Sequence, residues 1–209
     1  TWSRSQQRDY SASSTQRMET MNTSPSPRTQ VKRSANRASH DPEVLHAIID
    51  AAWVCHVAFR DERGVHCIPT ACWRIGAHLY IHGSNGSRMV RRLMEDECCV
   101  TITHVDGLVL ARSAFNHSMN YRSAVIYGRF ELVEEAAAGT GKRQAMEAFM
   151  EHLVPGRQGE IRPGNDKEYA ATTVLRIALA EAACKTRTGP PEDDEEDRHL
   201  PAWAGVLPL

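Results

Sequence analysis

Short runs rich in β-branched and aromatic residues, bounded by Gly, Asp and Pro, fill most of residues 54–133 and return at 172–179. No regular alternation of strand and helix separates them, so a parallel α/β sheet is excluded and successive runs must pair antiparallel. Runs at 54–60 and 65–74 flank the turn Asp61-Glu62-Arg63-Gly64, and a third at 78–82 follows Ile75-Gly76-Ala77; together they predict a meander. The run at 98–105 meets Asp106-Gly107, a hairpin signal, before 108–113. A further run covers 121–133, with Gly128 marking a bulge or a close backbone approach. The reading is a mainly β chain of six to seven antiparallel strands, closed or partly closed as a Greek-key-like barrel, with a few short helices.

Asp41-Pro42-Glu43 can cap and open a helix, and Val44, Leu45, Ile48, Ile49 and Ala52 then share one face, which predicts a helix over about 42–52. Two more are expected, one from about Lys142 to His152 after the break Gly139-Thr140-Gly141, and a short one at 168–171. Trp53 and Trp73 are assigned to the core.

The 209 residues suit one domain with extended ends, here divided as 1–39, 40–187 and 188–209. Residues 1–39 carry seven Arg/Lys among Ser, Thr, Gln and Pro, too few apolar side chains to offset ordering entropy, and are expected to be a disordered extension. Met18 or Met21 is a candidate start within it. The last segment is an acidic linker, 192–197, followed by an apolar tail expected to dock on the barrel or on a partner subunit.

A formal charge of −1 gives no basic excess for nucleic acid, and no run of 18 apolar residues argues for a membrane span, so a cytoplasmic protein is expected. Six cysteines (Cys55, Cys67, Cys72, Cys98, Cys99, Cys184) show no zinc spacing, and are read as buried, reduced thiols with no metal site.

The chemistry concentrates at 79–93. Leu79-Tyr80-Ile81-His82 reads as a strand end, Gly83-Ser84-Asn85-Gly86-Ser87 as a turn and cap, and Arg88-Met89-Val90-Arg91-Arg92 as a helix start. Amides freed by such a turn, the positive helix end and an arginine together attract a phosphate. Neither G-x-x-x-x-G-K-[ST] nor G-x-G-x-x-G is present, so the common nucleotide loops are excluded.

Several motifs then line up in order: His82-Gly83-Ser84, Ser87-Arg88, Asp106 through Arg112, Asn120-Tyr121-Arg122-Ser123, Tyr127-Gly128 and Trp203 through Val206. Over residues 41–209 the pattern resembles the FMN-binding split barrel of the pyridoxamine 5'-phosphate oxidase superfamily, nearest its flavin-nucleotide-binding, nitroimidazole-resistance (Nim-like) branch. The resemblance implies FMN held by Ile68, Pro69, Thr70 and Ala71 along one strand, by His82, Gly83 and Ser84 at a strand end, and by Ser87 and Arg88 at the 5'-phosphate. It places Arg122 and Ser123 near the isoalloxazine edge, and His82 as a catalytic candidate that orients substrate or passes a proton. It implies a homodimer with FMN at the interface and reduction of a small electrophilic substrate such as a nitroaromatic. Met89 stands where the oxidases proper carry a second phosphate cation, Lys, and the chain ends Val206-Leu207-Pro208-Leu209 rather than Arg-Leu-x-Pro. Both departures point away from vitamin B6 oxidation. A flavin carrier or redox sensor without turnover, and a haem-binding split barrel using a histidine such as His82 or His104, remain open alternatives.

Overall fold

The computed structural model describes residues 23–135 and 140–209. Among these, ten strands form one antiparallel sheet in the order β1-β9-β6-β5-β2-β3-β4-β8-β7, with β10 added to β5. The strands are β1 (Ala38–Ser39), β2 (Val54–Asp61), β3 (Gly64–Ile75), β4 (His78–Ser84), β5 (Cys98–Leu110), β6 (Ser118–Gly128), β7 (Glu131–Leu132), β8 (Thr172–Ala178), β9 (Ala182–Arg187) and β10 (Gly205–Pro208). The helices are α1 (Pro42–Asp50), α2 (Arg88–Glu95), α3 (Lys142–Leu153) and α4 (Asp166–Ala171). No helix among the described residues is long and apolar enough to cross a membrane.

The sheet curls into a split barrel because β3 changes partners midway. Residues 64–71 pair with β2, whereas β4 joins only Cys72–Ile75. The outer edge of 64–71 therefore has no strand partner among the described residues. Pro69, which has no N–H to give, is tolerated on such an edge.

Alternation divides the side chains into two sets. Cys55, Val57 and Phe59 of β2, Val100 and Ile102 of β5, and Ala124 and Ile126 of β6 point into the barrel, where α1 and α2 close its ends with Ile48, Ile49, Val90 and Leu93. A second cluster lies outside the barrel under α3, where Trp73 and Tyr80 pack on Ala145 and Phe149. At α1 the capping reading holds, with Asp41 Oδ1 accepting from the Glu43 amide at 2.9 Å.

Several expectations are corrected. Asp106-Gly107 is not a turn: β5 runs straight through it, and the register shift between Val105 and Gly107 marks a bulge. Gly107 is kept small by the C-terminal strand, since a Cβ there would meet Leu207 O and Val206 Cγ1 at 3.0 Å. Chain reversal falls later, around residues 114–116. The run expected at 121–133 ends at Gly128, whose φ of 151° breaks β6 ahead of the short β7. The sequence pattern also missed β9, which pairs between β1 and β6. Trp53 is exposed, and so is Cys67, while Cys55, Cys72, Cys98 and Cys184 are buried.

The first and last described segments are tied to the sheet. Of the expected disordered extension, residues 1–22 lie outside the described residues, but 23–39 lie against the sheet. Arg28 forks onto Glu97 and Glu181 and stacks 5.0 Å over Tyr127, and Thr29 is buried. At the other end, Asp193 accepts from the Arg112 amide and guanidinium, and β10 pairs with β5 from Gly107 to Leu110.

Candidate functional site

The turn after β4 is pinned on both sides. The Asn85 amide and side chain donate to Ala171 O and Ala170 O, and Thr173 Oγ1 donates to Asn85 Oδ1. Ser87 caps α2, its hydroxyl accepting from the Val90 amide at 3.4 Å. Gly83 is required by packing, because a Cβ there would lie 2.8 Å from Val90 Cγ2. The strand end and the helix start are thus fused into one rigid corner.

Arg88 opens α2 and reaches across to the β2–β3 hairpin. Its Nη1 donates to Asp61 Oδ2 and lies 3.4 Å from His66 Nε2. The Asp61 side chain is only 1% exposed and has two further partners on Oδ1: His66 Nε2 at 2.8 Å and the Arg63 amide at 2.9 Å. Burial pushes the Asp61 carboxyl up, but the hydrogen bonds from His66 and Arg63 and the Arg88 charge outweigh it and hold it below its ordinary range. The Nε and Nη2 donors of Arg88 make no bond among the described residues. Arg91 is exposed and without an acid partner there, whereas Arg92 is committed to Arg60 O, Glu95 and Asp96.

Asp61 and His66 are the members of this corner that sequence reasoning missed. Their signal was the period of two: Asp61 continues the inward face of Cys55, Val57 and Phe59, which is no place for an ordinary turn aspartate.

The free edge of β3 carries Ile68, Pro69, Thr70 and Ala71, opposite Val57, His56, Cys55 and Val54 of β2. Ile68 packs on the barrel core and Ala71 on the outer cluster. Pairing of β3 with β4 stops at Cys72↔Ile81, so Ile68–Ala71 and the Gly83–Arg88 corner diverge from that point and flank the opening between the two strands.

Arg122 and Ser123 lie elsewhere. From β3 to β6 is three strand spacings, about 14 Å along the sheet. As strand neighbours they also face opposite ways: Arg122 forks onto Asp106 at 2.7 and 3.0 Å, while Ser123 Oγ donates to Lys185 O at 3.1 Å. Register places Ser123, Pro69 and Ala71 on the outward sheet face, which also bears Val65 (79% exposed), Val54 (48%) and Val105 (42%).

His82 points out of the barrel, beneath α3. Its ring lies 4.9 Å from Phe149 and 5.9 Å from Trp73, and burial lowers its pKa. His82 Nδ1 and the nearby Trp73 Nε1 are buried without a hydrogen-bond partner among the described residues. His104, the other haem-ligand candidate from sequence, is held 2.9 Å from Ile48 O.

The profile of the pyridoxamine 5'-phosphate oxidase family matches residues 41–186. Among solved structures, the flavocytochrome Anf3 from Azotobacter vinelandii is 43% identical with a TM-score of 0.81, over 89% of this chain and 86% of that one. A FAD and haem binding protein from Mycobacterium smegmatis is 36% identical with a TM-score of 0.77, over 83% and 84% of the two chains. A Bacteroides thetaiotaomicron protein assigned to 5-nitroimidazole antibiotic resistance shares the fold at 21% identity and a TM-score of 0.59, over 71% and 85%. No curated protein matches the chain.

Proposed function

From the premise that this chain belongs to the pyridoxamine 5'-phosphate oxidase family and has its flavin-binding split barrel, we propose that it is a flavin-dependent oxidoreductase working as a homodimer. The observation that carries this reading is the division of the candidate site. One part, the β3 edge with the Gly83–Arg88 corner, is assembled within the chain. The other, Ser123, sits on an outward face whose exposed valines suit a second copy, with Arg122 turned to the opposite face beside it. Two copies joined by that face would place the flavin in the seam between them.

The flavin supplies the hydride and electron chemistry. The protein's part is binding and exclusion of water. Arg88 offers its Nε and Nη2 to the phosphate while Asp61, itself held by a hydrogen bond from His66, accepts from Nη1, so the guanidinium is oriented before the ligand arrives. The edge of residues 68–71 offers backbone groups to the ring, and Pro69 and Ala71 keep that surface low and apolar. His82, packed between Trp73 and Phe149 and held neutral by burial, supports the corner from behind. The acceptor is a small electrophile of the kind the Nim-like resemblance implies.

The test is the absorption spectrum of the purified protein, the mass of the cofactor released on denaturation, and light scattering for the dimer. FMN is the flavin the resemblance implies, and FAD is bound by the 36% identical relative, so the mass decides which is carried. Steady flavin cycling with NAD(P)H and a nitroaromatic supports the oxidoreductase, and a single reduction without turnover supports a carrier. A colourless monomer that takes up neither flavin removes the reading.

A second reading adds haem beside the flavin. It is favoured by the two relatives of 36% and 43% identity, one a FAD and haem binding protein and the other a flavocytochrome.

A further inference from the structure

Away from the flavin seam, a cavity of about 520 Å³ opens between the N-terminal segment, α1 and the two sheet turns at Ala77–His78 and 178–180. Its floor is apolar, with Leu45, Leu179 and Ala182. Its polar lining includes three imidazoles: His40 from the link between β1 and α1, His46 from α1 itself and His78 from the first residue of β4. Thr23 and Pro25 border the mouth, on the segment that Arg28 clamps to Glu97 and Glu181.

Three observations identify what such a cavity takes. Its volume lies within the roughly 300–1,000 Å³ of cofactor pockets, and a mainly apolar wall with few polar groups suits a large flat aromatic ligand. His46 and His78 make no hydrogen bond or ion pair among the described residues, although both are half-buried, so their ring nitrogens are not used by the fold. An imidazole whose ring nitrogens the fold leaves unused is free to ligate a metal. By contrast His82 and His104, the candidates from sequence, are packed under α3 and bonded to Ile48 O.

We propose that this cavity holds a haem, with His46 and His78 supplying axial imidazoles to its iron. The macrocycle brings four nitrogen ligands of its own, so two histidines on separate wall elements complete the set without a chelating cluster. His40, whose Nδ1 lies 3.3 Å from Ala182 O, then lines the pocket as a fixed wall residue. The assignment rests on the second reading above and adds the site and the ligands.

The experiment is a haemin titration of the full-length, flavin-loaded protein, followed by the Soret band and the electron paramagnetic resonance spectrum of the iron. The native chain is expected to give a saturable, low-spin species. His46→Gly and His78→Gly each convert it to high spin, and adding imidazole restores the low-spin signal. The double variant loses haem affinity by about tenfold or more while keeping its flavin absorbance and melting temperature. A double variant that binds haem with the native spectrum overturns the cavity assignment and leaves the haem reading standing. Native protein that takes up flavin but no haem overturns both of these and leaves the flavin reading untouched. If the glycine variants fail to fold, His78→Met serves instead: thioether ligation must move the Soret maximum, and an unmoved maximum counts against the site.

Discussion

The two arginine–aspartate pairs at opposite ends of the candidate flavin site look alike in sequence and differ in surroundings. Arg88 meets a carboxylate that is 1% exposed and already bonded to His66 and the Arg63 amide. Arg122 forks onto Asp106 at a bulge where both side chains are about one-third exposed. Removing the first cation strands a buried charge; removing the second leaves a carboxylate that water can reach. The proposed phosphate corner is therefore also part of the fold's support, whereas the Arg122 pair can be changed at little cost to the fold.

The largest expected effect follows from the corner. Arg88→Ala should lower the melting temperature of the flavin-free protein by several degrees and weaken flavin retention by about tenfold or more, because both Asp61 and the phosphate lose their guanidinium. Adding Asp61→Asn to it should recover most of the melting temperature but none of the flavin affinity. If flavin returns with stability, Arg88 has no contact with the ligand.

Gly83→Ala comes next. The 2.8 Å approach to Val90 Cγ2 predicts a loss of about 1–3 kcal/mol in denaturant unfolding, since α2 must shift off β4. Unchanged stability would mean the corner is looser than its contacts indicate.

Acid separates the pairs as well. The folded Asp61 carboxyl sits below its ordinary value, so its contribution is complete above about pH 4 and is lost as pH falls through the depressed value. The stability gap between the native protein and Asp61→Asn, measured by urea midpoints, should narrow from pH 7 to about pH 3. A gap that stays constant shows that Asp61 is protonated alike in both states.

The smallest effect is Arg122→Ala, about 0–1 kcal/mol on unfolding. Its value lies in the flavin: a change in the flavin spectrum or affinity at nearly constant stability assigns Arg122 to the ligand.

The strand order of the early meander, the α1 cap and the turn–helix corner were readable because each rests on local chemistry. What was hidden depends on partners distant in sequence. Asp106-Gly107 has hairpin composition, yet β10, a hundred residues later, lies across it and keeps the strand running. The strand β9, Ala-Ala-Cys-Lys-Thr-Arg, has too few β-branched and aromatic residues to announce itself, and is made a strand by pairing with β6. His82 carries the motif position expected of a ligand-facing group, but the pleat turns it towards Phe149, on the face opposite Ile81. The strand–turn–helix build of the Arg88 corner was legible, and its Asp61 anchor was not, because turn composition masked an inward-facing position.

The pairing of β10 with β5, and of β1 with β9, also sets a schedule. Residues 38–39 wait for 184–185, and 107–110 wait for 205–208, before either edge is covered. Contacts of that separation form slowly, and during synthesis they cannot form until the last strand has left the ribosome. The nascent barrel therefore spends most of its translation with two open edges, and any chain cut short before residue 205 keeps one of them permanently.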